Sequence, residues 1–173
     1  MTNYLHTTFG SQKVLQTIIE QHPHNELLLT VDDQDQTNFQ LLEQLPSETS
    51  VFETPVSYQV LAADGAKDGI RGWLHFTFLT LPSEEQQAFI KQWSNYQNQK
   101  LASVEGLITS ELLQRTDERN QFAIMTTWTV RDYYTIWDTA SQGPLKKYTD
   151  LASRYNVRKR SYSPAAFTKQ QLR

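Results

Sequence analysis

The sequence contains no cysteine among its 173 residues. This absence excludes a disulfide scaffold, a thiol nucleophile, an iron–sulfur cluster and every cysteine-based zinc site. A compact chain of this length buries roughly 70% of the surface that it exposes when unfolded, so a core can form without such cross-links. We therefore expect one substantial domain or two small, closely packed ones.

Long apolar runs are also absent. No stretch approaches the roughly 20 consecutive apolar residues that cross a bilayer, and the first ten residues, MTNYLHTTFG, do not have the charged-then-apolar pattern of a secretory signal. The expectation is a soluble, cytoplasmic protein that does not associate with membranes.

Several familiar site motifs are missing as well. The chain has no Gly-rich phosphate loop, Walker motif, Gly-x-Ser-x-Gly elbow or His-Glu-x-x-His pair. His22 and His24 flank Pro23, and two histidines without a third ligand make a weak metal site. No resident metal is expected, and a redox reaction would need an external reductant because no flavin or nicotinamide motif is present.

Charge is divided unevenly along the chain. Residues 1–69 hold two basic and ten acidic residues, a net of −8, whereas residues 70–173 hold fourteen basic and nine acidic residues, a net of +5. The basic residues are scattered apart from Lys146-Lys147 and Arg158-Lys159-Arg160, which argues against a nucleic-acid surface. A simpler interpretation of this charge division is that the two halves, which carry opposite net charges, attract each other, and that the second half has a local anion site.

The first half has a β-α-β-β pattern. Residues 3–9 alternate as a strand does, and Ser11 is placed to cap a helix whose apolar face holds Val14, Leu15, Ile18 and Ile19. Four extended segments follow, the first two as a hairpin: residues 27–31, 39–45, 50–53 and 58–61. Residues 62–69 are small and glycine-containing and mark the predicted boundary, with an N-terminal segment at 1–66 and a second domain at 70–167.

The second half has the order β-α-β-β-α-β, which is the split-βαβ, ferredoxin-like pattern of an α+β fold. Its strands are predicted at residues 70–81, 107–113, 122–130 and 160–167. Ser83 and Gln86 form a capping-box signal at the start of the first helix, and Thr129 with Asp132 forms a second one. A further helical stretch covers residues 145–155. Both halves begin strand–helix–strand–strand, which suggests an internal duplication at the level of the fold.

Four motifs between Trp93 and Lys147 carry a resemblance to a known family. They are Val104-Glu105-Gly106-Leu107, Leu112-Leu113-Gln114-Arg115, Ile124-Met125-Thr126-Thr127-Trp128, and Trp137. The first is similar to the "x-P-G-F" start of strand two and the third to the "hydrophobic-x-x-x-W" of strand three in the antibiotic biosynthesis monooxygenase (ABM) superfamily of dimeric α+β barrels. The N-terminal extension, starting Tyr4-Leu5-His6, resembles the longer staphylococcal TRAP-like and bacillus-type heme-degrading members. The resemblance implies that the N-terminal segment completes an intramolecular pseudo-dimer.

The resemblance also implies a site. Short heme-degrading members use an Asn on strand one, a Trp that presses on the porphyrin, and a His that ligates iron; the corresponding residues here are Thr77, Trp128 and Lys147. A lysine ammonium offers no lone pair to iron at neutral pH. His75 shares its strand face with Thr77 and is then the candidate axial ligand in the second half.

Each of these residues also has a structural interpretation. Trp128 and His75 are of types that often fill a core. Lys146 and Lys147 form either a solvated helix face or a clamp for carboxylates such as heme propionates.

Three functions remain open. The leading hypothesis is a heme-degrading ABM-type monooxygenase that binds a flat, anionic, aromatic ligand between Trp128 and strand one, as a monomeric pseudo-dimer or a homodimer. The second is a non-catalytic ligand-binding or stress-response protein on the same scaffold. The third is a cofactor-free oxygenase of quinone-like aromatics, with His75 or Tyr133 as the proton acceptor.

Overall fold

The computed structural model describes residues 2–65 and 69–165 of the chain. Within these residues the strands are β1 (Asn3–Gly10), β2 (Leu28–Asp32), β3 (Phe39–Leu45), β4 (Val56–Gly65), β5 (Trp73–Thr80), β6 (Leu107–Arg115), β7 (Gln121–Trp128) and β8 (Arg158–Pro164). The α-helices are α1 (Gln12–Gln21), α2 (Ser83–Gln99), α3 (Arg131–Ala140), α4 (Leu145–Asp150) and α5 (Ala152–Tyr155), with a short 3₁₀ turn at Leu101–Ser103.

The eight strands close into one antiparallel barrel in the order β1-β3-β2-β8-β5-β7-β6-β4. Within the first half the spatial order is β2-β3-β1-β4, and within the second it is β6-β7-β5-β8, so the two halves share one pattern of strand neighbours. The halves meet at two seams, where β4 pairs with β6 and β2 pairs with β8. The predicted α+β fold and intramolecular barrel are confirmed.

Strand alternation divides the side chains into two layers. The barrel interior is filled by one cluster of buried apolar side chains: Leu5, Leu42, Tyr58, Leu74, Phe76, Leu113, Ala123, Met125 and Tyr162. A second cluster lies between the outer face of the second half and its helices, and includes Phe89, Trp93, Trp128, Trp137, Tyr148 and Tyr155. A smaller third cluster contains Leu15 of α1 with Leu29, Leu41 and Phe52.

The helix starts differ in how they are capped. Ser11 caps α1 as predicted, because its Oγ accepts from the Val14 amide at 3.3 Å. The predicted capping box at Ser83 does not form: Pro82 is the N-cap of α2, and Gln86 Nε2 instead donates to the Leu81 carbonyl at 3.0 Å. The second capping signal also fails, since α3 starts after Val130 without a side-chain cap.

The predicted boundary differs most from the structure. Residues 50–53 are not a strand, whereas β4 runs on to Gly65 and pairs with β6 beyond a register shift between Val60 and Ala62. Residues 62–65, predicted as linker, are therefore strand. The division of the chain into domains at 1–66 and 70–167 stays a prediction, and its limits at Met1, Ala66 and residues 166–167 lie outside the described residues.

The longest helix within residues 2–65 and 69–165 is α2, with 17 residues. No helix in this part of the chain combines the length and the apolar character needed to cross a bilayer.

Candidate functional site

The predicted site residues of β5 lie on the outer face of the barrel. Leu74 and Phe76 point into the interior, so Trp73, His75 and Thr77 face the helices instead. Trp128, at the end of β7, stands directly opposite Trp73 in the antiparallel pair. The structure therefore brings Trp128, His75 and Thr77 to one sheet face, as the sequence predicted.

Tyr134 of α3 is the centre of an aromatic cluster on this face. Its ring stacks on the imidazole of His75, with centroids 4.0 Å apart and planes 22° apart. The rings of Trp73, Trp128 and Trp137 lie 5.3, 5.8 and 6.0 Å from the Tyr134 ring. Trp128 is completely buried, and its Nε1 donates to Thr126 Oγ1 at 2.8 Å. The space beside Trp128 is thus filled by aromatic side chains. Tyr134 is the residue that sequence reasoning missed. The sequence shows that Tyr134 lies in the helix after Trp128, but its contact with His75 depends on how α3 packs on the sheet.

Burial keeps His75 neutral. Its side chain is 6% exposed, and burial together with the nearby cations Lys159 and Arg131 lowers its pKa to about 3. Lys159 Nζ also lies 3.4 Å from Asp138 of α3, and the guanidinium of Arg131 lies 5.8 Å from the Trp73 ring. At neutral pH the cluster therefore combines an uncharged imidazole, four further aromatic rings and two cations.

Thr77 and the two lysines have different surroundings. Thr77 is 4% exposed and lies two residues along β5 from His75. Lys146 pairs with Asp150 at 3.4 Å, and Lys147 lies over the ring of Tyr148. Tyr148 in turn packs on Phe89 and Tyr155. Among the described residues, no hydrogen bond, ion pair or cation–π contact joins these lysines to the Trp128–His75 cluster, whereas Arg131 and Lys159 act on His75 electrostatically.

A second feature, not predicted from the sequence, is a cavity of about 1000 Å³ at one mouth of the barrel. Its polar lining includes Asn3, Asn25, Glu26, Gln44, Asp64 and Glu111, and we call it the acidic mouth. Glu111 lies in β6 opposite Ala63 of β4 and Met125 of β7. The sequence did contain a signal for the position of Glu111: alternation along β6 places Thr109, Glu111 and Leu113 on the interior face of the barrel.

Glu111 is the buried carboxyl of the acidic mouth. It is 4% exposed, its Oε1 accepts from Gln44 Nε2 at 2.6 Å, and its Oε2 has no hydrogen-bond partner. Burial raises its pKa to about 7, although the bond from Gln44 opposes the shift. A carboxyl of this kind exchanges a proton near neutral pH.

The opposite mouth is smaller and basic. A cavity of about 340 Å³ there is lined by Arg115, Arg158 and Arg160, with Asp32 as the acidic residue among them. Arg115 is partly neutralised by Asp117, to which it donates two hydrogen bonds of 2.9 and 2.8 Å. Among the described residues, no group of three or more histidine, aspartate or glutamate side chains is arranged to hold a metal ion.

Comparison with known proteins agrees with this architecture. The sequence model of the family described as antibiotic biosynthesis monooxygenase matches residues 75–142. A comparison with curated protein sequences finds no match.

Solved structures match over almost the whole chain. A ferredoxin-fold protein related to antibiotic biosynthesis monooxygenases, from Listeria monocytogenes, has a TM-score of 0.78 at 21% identity and covers 96% of each chain. A heme-degrading enzyme from the same organism has a TM-score of 0.72 at 20% identity, covering 94% of this chain and 99% of its own. A major regulator of staphylococcal pathogenesis has a TM-score of 0.77 at 17% identity, with the same coverages. At these identities the likeness establishes the fold.

The fold is thus a ferredoxin-like α+β barrel built from two halves of one chain. Within it, residues 75–142 match the sequence model of the antibiotic biosynthesis monooxygenase family.

Proposed function

We propose that this protein is an ABM-type monooxygenase that binds a flat, anionic, aromatic ligand of the heme class against Trp128 and β5. The observation that carries the proposal is the stack of Tyr134 on His75: a flat aromatic ring already lies against a neutral imidazole, next to Trp128 and two cations. A planar ligand that displaced the Tyr134 ring would gain the same stacking partners.

The residues present fit heme chemically. The low pKa of His75, about 3, leaves its imidazole uncharged and able to offer a nitrogen lone pair to iron. Arg131 and Lys159, which both act on His75 electrostatically, are suited to bind the carboxylates of an anionic ligand. The space is filled by Tyr134 in the present packing, so binding requires this side chain to move away from His75.

Each residue then has a defined task. Trp128 forms one wall and excludes water, and its orientation is held by the bond from its Nε1 to Thr126. His75 is the iron ligand, and Thr77 offers a hydroxyl on the same face. Bound heme iron would supply the oxygen-activating chemistry, with electrons from an external reductant. Lys146 and Lys147 remain proposed carboxylate ligands, and their position around Tyr148 makes Arg131 and Lys159 the better supported pair.

A hemin titration tests the proposal. We expect a saturable shift of the Soret band at one equivalent, followed by loss of the band when ascorbate is added under air with catalase present. His75→Ala should abolish the shift, and Trp128→Phe should slow the loss of the band. His24→Ala, at an exposed histidine, is the matched control and should behave like the parent protein. A spectrum of free hemin throughout would contradict the proposal.

A non-catalytic ligand-binding protein on the same scaffold is the second candidate. Thr77 and Lys147 favour it, because they stand where the resemblance implies the Asn and the iron-ligating His of the heme-degrading members. It predicts neither loss of heme nor oxygen uptake with a dihydroxy-aromatic substrate. Cofactor-free oxygenation with His75 as base is less well supported, since a pKa of about 3 is poorly matched to accepting a proton at neutral pH.

A further inference from the structure

The acidic mouth lies on the opposite side of the sheet from the aromatic cluster. Its cavity, about 1000 Å³, is enclosed by the ends of strands from both halves, including β1, β3, β4 and β6. Pockets of this volume accept small organic molecules. Because Leu74 and Phe76 separate the barrel interior from the outer face of β5, a ligand here would not compete with one at His75.

The polar groups of the acidic mouth are mainly acceptors. Gln44 Nε2 donates to Glu111 Oε1 at 2.6 Å, and Asn25 Nδ2 donates to Glu43 Oε2 at 2.9 Å. The amide nitrogens of Gln44 and Asn25 therefore already donate to carboxylates, while their amide oxygens add acceptors. With two of its three amides engaged in this way and with Glu111 and Glu26 present, the lining favours a ligand that donates hydrogen bonds.

The unpartnered oxygen of Glu111 points to the same conclusion. A buried polar atom without a partner is costly and is rare in native proteins. Glu111 lines the cavity, its side chain is only 4% exposed, and its Oε2 lacks a donor. An ammonium group placed in the cavity would supply that donor together with a compensating charge.

The carboxylates stand at two depths. Glu111 is buried inside the cavity, and Glu26 is exposed at its rim. A ligand with one cationic nitrogen would satisfy only one level, whereas a short diamine can reach both. We propose that the acidic mouth is a binding site for a small aliphatic diamine, with one ammonium on Glu111 Oε2 and the other on Glu26 at the rim. The site is independent of the function proposed for the aromatic cluster.

Binding should depend on pH through Glu111. The charged residues that line the acidic mouth are Glu26, from the loop before β2, and Asp64 of β4, which pairs with Ser110 on the outer face of the sheet. The strands β1 and β3 contribute the neutral Asn3 and Gln44. Since the pKa of Glu111 is about 7 in the free protein, an ammonium ligand must displace its proton at lower pH. The affinity should therefore rise by about tenfold between pH 6 and pH 8.

Calorimetric titration with 1,4-diaminobutane at pH 8 and low salt tests the proposal. We expect saturable binding at one equivalent and at least about tenfold weaker binding of 1,4-butanediol, which has the same length without charge. Glu111→Gln should weaken diamine binding by about tenfold or more. Glu118→Gln, at an exposed loop position, is the matched control and should leave the affinity unchanged.

Other outcomes would overturn the proposal. These are equal binding of the diol and the diamine, unchanged affinity in Glu111→Gln, or no binding by the parent protein. Glu111→Gln is nearly isosteric and removes a buried ionisable group, so we expect it to fold. Glu26→Gln gives a second measurement at the rim, with an expected loss of about threefold in affinity. An unchanged affinity in this variant would contradict the proposed position of the second ammonium.

Discussion

Trp73 and Asp33 are joined by a hydrogen bond that links the two halves of the chain. The indole Nε1 of Trp73 donates to Asp33 Oδ2 at 2.8 Å. The hydroxyls of Ser161 and Ser163 donate to the same carboxylate at 2.7 and 2.6 Å. Asp33 directly follows β2, whereas all three donors belong to the second half. The Asp33 carboxylate thus links the end of β2 to β8 and also to β5, the strand that carries His75.

Replacing this carboxylate should loosen the seam. Partial burial opposes ionisation of Asp33, yet the bonds from Ser163, Ser161 and Trp73 together hold its pKa below the usual value. We expect Asp33→Ala to lower the free energy of unfolding by about 2 kcal/mol at pH 7, measured by urea denaturation. Asp35→Ala, in the same turn but bonded to Thr37, is the control and should cost clearly less because this carboxylate is exposed. Equal losses in the two variants would show that the seam does not depend on Asp33.

His75 should make the protein acid-sensitive. The pKa of His75 is about 3 in the folded protein, whereas an ordinary histidine has a pKa of 6.5. Below pH 6.5 the imidazole is therefore protonated in the unfolded chain but stays neutral in the folded protein. Stability is then lost as pH falls, by up to about 1.4 kcal/mol per pH unit. His75→Phe keeps a ring against Tyr134 and should flatten this slope between pH 6.5 and 5. His24→Gln serves as the control, and a slope unchanged in His75→Phe would count against a buried, neutral imidazole.

Glu111 should act in the opposite direction. Its pKa is about 7 when folded against 4.5 ordinarily, so between these values the folded protein retains a proton that the unfolded chain has released. Stability therefore falls as pH rises from 4.5 to 7. Glu111→Gln should gain about 2 kcal/mol over the parent protein at pH 8 and little at pH 4.5, measured by thermal or urea unfolding. A gain that is equal at both pH values would exclude ionisation as its cause.

Gly72 should be intolerant of a side chain. Its φ is +87°, and a Cβ there would collide with the carbonyl oxygen of Trp128. The backbone conformation alone costs about 1–2 kcal/mol for alanine, so Gly72→Ala should lower the free energy of unfolding by at least about 2 kcal/mol and change the tryptophan fluorescence of the protein. At Gly10 the atom nearest to an added Cβ is Leu15 Cδ2 at 3.6 Å, so Gly10→Ala should be nearly neutral. Similar losses at both positions would remove the steric explanation.

Much of the architecture could be predicted from local patterns. Alternation in residues 3–9 and the Ser11 cap indicated the first strand and helix because both signals are local. The capping box at Ser83 failed because Pro82 had already taken the N-cap position, which no pattern of residue types decides. The end of β4 was missed because Ala62 to Gly65 become strand only through pairing with β6, a contact between residues far apart in sequence.

The candidate site was only partly visible in the sequence. Alternation correctly put Trp73, His75 and Thr77 on one face, and the resemblance put Trp128 beside them. That Tyr134 would cover His75 depends on how α3 packs on the sheet, and residue spacing does not encode this. Glu111 appeared as an ordinary polar strand residue because the enclosing barrel, which makes its burial unusual, forms only when both halves meet.

The barrel has unlike ends. Glu26, Asp64 and Glu111 line one mouth, and Arg115, Arg158 and Arg160 line the other. A low-dielectric interior between such ends concentrates the field along the barrel axis. We therefore expect an electrical asymmetry along the barrel axis that draws cationic solutes toward one mouth and anionic solutes toward the other, and that added salt weakens.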